Sequence, residues 1–296
     1  MKLVYFQDPK RNFGDDLNPW LWDRLLPGLI DGDSSSGLLF GVGTILEPWF
    51  VEDLEPGTRK YVLGSGGGMT VPAITLDDSW TVRGVRGPLT AAYLGLPASL
   101  AATDPAMCIG RHFERPAKRS GGVGFMPHHA ALRRWDWRGT CEEAGLIYLD
   151  PHADPLETMG QIANCDLVLA DAMHAAIVAD ALRVPWFPLQ ISPINYVGKW
   201  HDWGASIRMP IHFQPLPDLY DPLRASSVGD LRRQGLRRAV YEWRQGSSRR
   251  AADKAAERLQ AYAKDYEPYL SRDEDFDRAV SGFEARLAAF RAEIGD

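Results

Sequence analysis

The segment Cys165–Pro185 (CDLVLADAMHAAIVADALRVP) constrains the fold of this chain most strongly. An apolar run at Leu167–Ala170 has the length of a buried strand, and apolar residues at near-helical spacing follow it. Asp171, between the two, is a predicted helix N-cap. His174 follows at a junction where open α/β sheets bind ligands and where helix N–H groups favour an anion. It is therefore a candidate for acid–base or phosphate chemistry, or else a locally hydrogen-bonded loop residue.

The same strand-then-helix unit recurs along the chain, which predicts an α/β fold with two Rossmann-like domains facing a cleft. The predicted strands are Leu3–Phe6, Gly37–Phe40, Tyr61–Leu63, Trp80–Val82, Gly122–Phe125, Ile147–Leu149, Leu167–Ala170 and Pro185–Pro188. The polar, Gly- and Pro-bearing segment Arg111–Gly122 is the best linker candidate. We therefore expect an N-terminal α/β domain at 1–116, a C-terminal α/β domain at 117–223, and C-terminal helices at 224–296 that pack on or across the domains.

Composition narrows the functional classes. The chain has 296 residues and a formal net charge of −6, which argues against general binding to nucleic acid. Its three cysteines form no CxxC motif, and no run approaches the length of a membrane helix. The start, MKLVYFQDPK, is typical of a strand and not of a signal peptide, so we expect a cytoplasmic protein. The basic segment Arg224–Lys264 is either a solvated helix face or a surface that approaches anionic lipid, at the inner face of the membrane, or a polyphosphate-linked acceptor.

Polar and glycine-rich motifs follow the strands of the first half. Asn12, Gly14 and Asp15 lie in NFGDD, which either shapes a turn or faces a ligand, and Asp15 or Asp16 can cap the next helix. The cluster that begins Gly64-Ser65-Gly66 allows close approach of a backbone or a ligand, but it matches neither a dinucleotide fingerprint nor a P-loop.

Two arginines precede the helix predicted to begin near Pro88. Arg83 and Arg86 lie where a positive charge opposes the helix dipole, so helix stability does not explain them. A guanidinium directed at a carboxylate or phosphate is the simplest explanation, and a salt bridge to an acidic neighbour is the alternative.

Histidines follow several strands of the second half. His128, His129, His152 and His174 match no metal-binding signature, so we infer no metal. Farther along, Lys199 and Trp200 stand at a predicted helix start, where they could help to bind an anion. Tryptophan rings stack on sugars in clefts, but filling of the core is the commoner use of any single one here.

Together these motifs resemble the polysaccharide pyruvyl transferases, most closely the bacterial exopolysaccharide branch that forms the ketal of succinoglycan. The resemblance covers much of the first 210 residues. It rests on Asn12–Asp15, Gly64–Gly66, Val85–Thr90, Gly95, Thr103–Ala106, Pro127–His129 and Asp171–Pro185. The family pattern Ser-x-Arg-Leu/Met-His is matched at Met173 and His174, whereas Ala170 and Ala172 replace its serine and arginine. Lys199, Arg86 or Arg83 could supply the missing charge, or this protein's donor or activity could differ.

The resemblance implies a GT-B-like arrangement of two domains with the active site in the interdomain cleft. It implies transfer of the pyruvyl group of phosphoenolpyruvate to an oligosaccharide or lipid-linked saccharide, as a ketal, with no cofactor. We expect Arg86 to bind the donor and His174 to be a phosphate ligand or general acid. Asp15, or more weakly Asp171, is expected to be the base or to bind acceptor hydroxyls. The other predicted binding residues are Asn12, Gly14, Arg83, Gly64, Ser65, Gly66, His128, His129, Met173, Lys199 and Trp200.

Two alternatives stay open at this point. A nucleotide-sugar-dependent GT-B glycosyltransferase would need a carboxylate for the ribose hydroxyls, for which Asp150 or Asp154 could serve. A non-catalytic glycan-binding relative is the other, because one cation of the family pattern is absent at Ala172.

Overall fold

The computed structural model describes residues 1–55, 57–115, 121–191, 197–221 and 235–295. The predicted α/β class is confirmed, since two parallel sheets are present and helices follow most of their strands. The predicted domain boundary between 116 and 117 lies outside the described residues, as do residues 224–234 of the predicted basic segment.

The first sheet has four parallel strands in the order β1-β2-β3-β4. They are β1 (Lys2–Val4), β2 (Leu38–Phe40), β3 (Lys60–Leu63) and β4 (Trp80–Gly84). The helices of this half are α1 (Phe13–Asp16), α2 (Asn18–Leu25), α3 (Pro48–Val51), α4 (Pro88–Tyr93) and α5 (Ile109–His112). Strands β2 and β3 are buried along their whole length, as short apolar runs in a parallel sheet are expected to be.

The second sheet has five parallel strands in the order β6-β5-β7-β8-β9. They are β5 (Val123–Met126), β6 (Ile147–Tyr148), β7 (Leu167–Ala170), β8 (Trp186–Gln190) and β9 (Gln214–Pro215). The helices between them are α6 (Trp137–Ala144), α7 (Pro155–Asn164), α8 (Met173–Ala181) and α9 (Gly198–Ser206). The sequence predicted β7 and α7 with these bounds, because apolar runs, Asp154 and Pro155 mark their ends clearly.

Helix α8 lies at the centre of the molecule. Its residues from Ala175 to Ala179 have no exposed surface, because the helix is apolar nearly all round. It packs on β7 and β8 and also on the turn Pro105–Cys108, which belongs to the first half of the chain. A single hydrophobic cluster consequently contains side chains of both halves, such as Trp22 and Ile177. The GT-B-like separation into two domains stays a prediction.

Two C-terminal helices cover the two halves. Helix α10 (Gly235–Asp265) packs on α6 and β7, and helix α11 (Asp273–Gly295) packs on β4 of the first sheet. Phe283 and Phe290 of α11 are fully buried. No helix in the described part of the chain is long and apolar enough to cross a membrane.

Two predicted caps are wrong. Asp171 does not cap α8, whose N-cap is Ala172 without a side-chain hydrogen bond, because both Asp171 carboxylate oxygens accept from backbone N–H groups elsewhere. Neither Asp15 nor Asp16 caps α2, because both lie within the preceding helix α1 and Leu17 occupies the N-cap position.

Candidate active site

A cavity of about 290 Å³ lies where the loops after β1 and β2 of the first sheet meet those after β5 and β7 of the second. Its lining residues are Phe6, Asn12, Asp15, Gly43, Thr44, Ile45, Trp49, His128, His129, Met173, His174 and Lys199. A smaller cavity of about 40 Å³ shares several of these residues and adds Phe13, Gly14, Met126 and Ala172. The fold therefore brings eight predicted site residues to one place: Asn12, Gly14, Asp15, His128, His129, Met173, His174 and Lys199.

Asp15 is a buried carboxylate on the wall of the larger cavity. Helix α1 places it there, and Asn12 Nδ2 donates a hydrogen bond of 2.6 Å to its Oδ2. Burial raises the pKa of Asp15 to about 6, although the nearby His174 and the Asn12 hydrogen bond oppose this shift. A carboxyl group with this pKa exchanges a proton near neutral pH, which suits a general base.

His174 occupies the first turn of α8, as the sequence predicted. Its ring packs directly on Gly14, where an added Cβ would lie only 2.0 Å from Nδ1. A residue larger than glycine at position 14 would therefore displace the imidazole. Gly14 is needed for this close packing, which is a different role from the ligand contact expected of it.

Asp104 stands behind His174 and was missed as a site residue. Its Oδ2 lies 3.7 Å from His174 Nε2, and both atoms are buried without a hydrogen-bond partner among the described residues. The other oxygen, Oδ1, accepts from the backbone N–H of Ala106. The motif TDPA contains Asp104, but Asp-Pro in a sequence predicts only a turn. A small rotation would join the two unpartnered atoms and orient the imidazole.

Lys199 supplies a positive charge to both cavities. It lies in the first turn of α9, and burial together with the charge of Arg86 lowers its pKa to about 8, against the opposing effect of Asp15 and Asp171. Its Nζ makes no hydrogen bond or ion pair with any residue that the structure describes. A cation that lines a cavity and has no such partner in the described part of the chain is suited to an anionic ligand.

The imidazole of His128 is neutral and can donate one hydrogen bond. Its Nδ1 accepts from the backbone N–H of Ala130 at 3.2 Å, so the ring proton is on Nε2. Burial, assisted by the charge of Lys199, keeps the pKa of His128 well below its usual range. His129 lies beside it with Nδ1 3.4 Å from Asp8, and burial lowers its pKa as well.

Arg86 is fully buried, and its guanidinium is engaged by the protein. It donates to Asp202 at 3.2 Å, to Thr44 Oγ1 at 3.0 Å and to the carbonyl of Gly67 at 3.3 Å. The alternative of a salt bridge, which the sequence left open, is therefore the one observed. Direct contact between Arg86 and a donor stays a prediction, but the observed contacts position Thr44 in the cavity wall and the helix that carries Lys199.

The other predicted residues of the first half also have protein partners. Arg83 lies on β4 and pairs with Glu293 of α11. Ser65 Oγ donates to the carbonyls of Phe40 and Gly41. Gly64 and Gly66 lie against Pro105 and the Arg86 guanidinium at distances that exclude a Cβ. Contacts within the protein therefore account for the presence of these residues, and no ligand is needed to explain them.

In the second half, Asp171 and Trp200 are structural. Asp171 accepts from the backbone N–H groups of His128 and Ile191, so it ties together the loops after β5, β7 and β8. Trp200 is 2% exposed and packs beside Trp186 and Phe213. Substrate binding by Trp200 stays a prediction, since the observed contacts of its ring are with the core. The aromatic residues of the cavity are Phe6 and Trp49, which sequence reasoning missed.

Comparison with known proteins finds a match to the family that the sequence resembles. Residues 73–193 match the family model of polysaccharide pyruvyl transferases. This region contains Arg86, Asp104, His128 and His174, whereas Asp15 and Lys199 lie outside it.

One curated relative is similar over much of this chain. The succinoglycan biosynthesis protein ExoV of Rhizobium meliloti (strain 1021) is 38% identical over 213 residues. The match covers 70% of this chain and 65% of that protein, slightly less than two thirds of its length. A crystal structure of an uncharacterized protein from Klebsiella pneumoniae is also similar, with 17% identity and a TM-score of 0.44 over 72% of this chain and 92% of that one.

Proposed function

We propose that this protein is a transferase that moves the pyruvyl group of phosphoenolpyruvate to a sugar of an exopolysaccharide or its lipid-linked precursor. The observation that carries the proposal is one cavity in which a buried carboxylate, Asp15, lies with His174 and Lys199. Among the described residues, Lys199 has no hydrogen-bond or ion-pair partner. The family match supports pyruvyl transfer, and the name of the Rhizobium relative supports a place in succinoglycan biosynthesis.

The donor is a compact polyanion, and the cations of the cavity suit it. Lys199, the Nε2–H of His128 and the N–H groups at the start of α8 would bind its phosphate and carboxylate. Ala172, which replaces the family arginine, lines the smaller cavity together with Lys199. Lys199 is therefore the residue that we propose to replace the missing charge, since Arg86 and Arg83 are paired with Asp202 and Glu293.

Asp15 and His174 have opposite proton roles in this mechanism. His174 donates a proton to the methylene carbon of phosphoenolpyruvate, while Asp15 accepts the proton of a sugar hydroxyl whose oxygen bonds to C2. The bond from C2 to the phosphate oxygen then breaks and phosphate leaves. A second sugar hydroxyl attacks C2 and loses its proton, which closes the cyclic ketal. The net reaction converts a diol and phosphoenolpyruvate into a pyruvate ketal and inorganic phosphate.

Asp104 would hold His174 in this mechanism. A carboxylate behind an imidazole stabilises its protonated form and fixes the ring for proton transfer. The 3.7 Å separation from Nε2 would shorten on donor binding, since hydrogen bonds of unliganded sites often tighten in the complex.

The nucleotide-sugar alternative has less support. Asp154 accepts from the backbone N–H groups of Leu156 and Glu157 as the N-cap of α7. Asp150 accepts from the backbone of His152 and lies 3.4 Å from Arg138. Both carboxylates predicted to bind the ribose hydroxyls thus already interact with other groups of the protein.

The proposal is tested by incubating the protein with phosphoenolpyruvate and free or lipid-linked oligosaccharides of succinoglycan type, followed by mass measurement of the saccharide and assay of phosphate. Thermal shift compares phosphoenolpyruvate with UDP- and GDP-sugars. Stabilisation by a nucleotide sugar alone would overturn the proposal. A lack of response to every donor would favour the non-catalytic glycan-binding relative.

A further inference from the structure

Trp49 is an exposed tryptophan on the wall of the larger cavity. It lies at the start of α3, and 51% of its surface is exposed. A tryptophan ring that stays in water forgoes the large stabilisation that burial of its apolar area would give. Its exposure beside Asp15 is therefore explained best by a ligand that covers it.

The indole is fixed before any ligand arrives. Phe6 meets it nearly at a right angle with ring centroids 5.8 Å apart, and Phe50 does so at 5.5 Å. Phe50 in turn contacts Phe40 of the buried strand β2 at 6.0 Å. Because these aromatic contacts anchor Trp49 to the first sheet, little ordering is needed when a ligand binds.

The two cavities differ in the chemistry of their walls. His128, His174 and Lys199 line both of them. The larger cavity alone adds the carboxylate of Asp15, the hydroxyl of Thr44 and the aromatic rings of Phe6 and Trp49. Phosphoenolpyruvate is small and strongly anionic, so it suits the shared cationic part, whereas a carboxylate and an exposed indole do not favour it.

We infer that Trp49 forms the floor of an acceptor subsite, on which a sugar ring stacks with a hydroxyl directed towards Asp15. A pyranose has an apolar C–H face that covers an indole well, and its hydroxyls match Asp15 and Thr44. This inference rests on the proposed function for the role of the sugar. It adds the residue that would select a saccharide in preference to water or a small alcohol.

The inference is tested by calorimetric binding of succinoglycan-type oligosaccharides and methyl glycosides of glucose and galactose, without any donor. We expect Trp49→Ala to weaken binding by about tenfold or more and Trp49→Phe to retain most of it. Leu156→Ala is the matched control, because Leu156 is 43% exposed on α7 outside the cavity, and it should leave binding unchanged. Thermal stabilisation by phosphoenolpyruvate should be equal in Trp49→Ala and the parent protein.

Equal saccharide affinity in Trp49→Ala and the parent, or no binding of any saccharide to the parent, would overturn the inference. An equal loss of phosphoenolpyruvate binding would also do so, because it would show a general defect of the cavity. The proposed function fails separately: saccharide binding that depends on Trp49, without any pyruvyl transfer, would support the subsite and contradict the transferase. Transfer with an unchanged KM for the saccharide in Trp49→Ala would contradict the subsite alone.

Discussion

Arg86 and Asp202 form a fully buried ion pair that fastens the helix carrying Lys199 to the first half of the chain. The Arg86 Nε lies 3.2 Å from Asp202 Oδ2, and neither side chain has exposed surface. Asp202 also accepts from the backbone N–H groups of Leu89 and Thr90 and from the Thr90 hydroxyl. One carboxylate therefore caps α4, neutralises Arg86 and sets the position of α9.

Removal of one partner of this pair should be strongly destabilising. We expect Asp202→Ala to lower the free energy of unfolding by about 3–5 kcal/mol, because it leaves the Arg86 guanidinium charged and buried without a counter-charge. Denaturant unfolding measures the change. The control is Glu293→Ala, which breaks the exposed pair with Arg83 and should cost less than about 1 kcal/mol. Similar losses in the two variants would contradict this account.

Asp15→Asn should abolish transfer and yet stabilise the protein above pH 6. Because burial raises the pKa of Asp15 to about 6, the folded state keeps its proton between pH 3.8 and 6 while the unfolded state loses it. Stability contributed by the protonated form is thus complete below about pH 3.8 and is lost as the pH rises through 6. The shift corresponds to about 2–3 kcal/mol at pH 8, which the asparagine would recover.

Unfolding of Asp15→Asn and the parent at pH 8 and near pH 4 measures this effect. The difference between the two proteins should be largest at pH 8 and nearly absent at the lower pH. An asparagine variant that is less stable than the parent at pH 8 would show that the carboxylate is not penalised by burial.

The rate of transfer should show a bell-shaped dependence on pH. The acid limb should rise through about pH 6 as Asp15 becomes a carboxylate, and the alkaline limb should fall through about pH 8 as Lys199 loses its proton. Lys199→Arg keeps the positive charge at high pH, so the alkaline limb should move upward. Steady-state rates across this range measure both limbs, and an alkaline limb that the arginine leaves in place would assign it to another group.

Asp104→Asn should lower kcat about 100-fold or more with little change in KM for phosphoenolpyruvate. The asparagine oxygen can still accept from Ala106, so the turn is kept, but the charge behind His174 is lost. Ser206→Ala is a suitable control, because it removes another buried polar group near Thr103 without touching His174. An equal rise of KM with no fall of kcat would indicate that Asp104 acts on donor binding instead of on the histidine.

Sequence patterns predicted the strands well because each strand is a short apolar run with turn residues on both sides. The predicted site residues His174, Asp15 and Lys199 line one cavity, since each follows a strand or begins a helix. The sequence did not predict the partner of Arg86. Asp202 lies 116 residues away, and its selection depends on how α4 and α9 pack.

The tryptophans show the same limit of prediction from local sequence. Trp200 and Trp49 both stand near helix starts in the sequence, and no local pattern tells a core ring from an exposed one. Trp200 is buried because α9 packs it on Trp186, whereas Trp49 is exposed because α3 lies at the cavity. Asp104 was missed for a related reason: only the path of α8 places an imidazole beside its carboxylate.

The most direct test of the central claim is the mass of a succinoglycan-type oligosaccharide after incubation with phosphoenolpyruvate and either the parent protein or folded His174→Ala. We expect the parent protein to add one pyruvyl ketal and release one phosphate for each saccharide modified, and His174→Ala to do neither. A saccharide whose mass stays unchanged with the parent, or one modified equally by His174→Ala, would contradict this expectation.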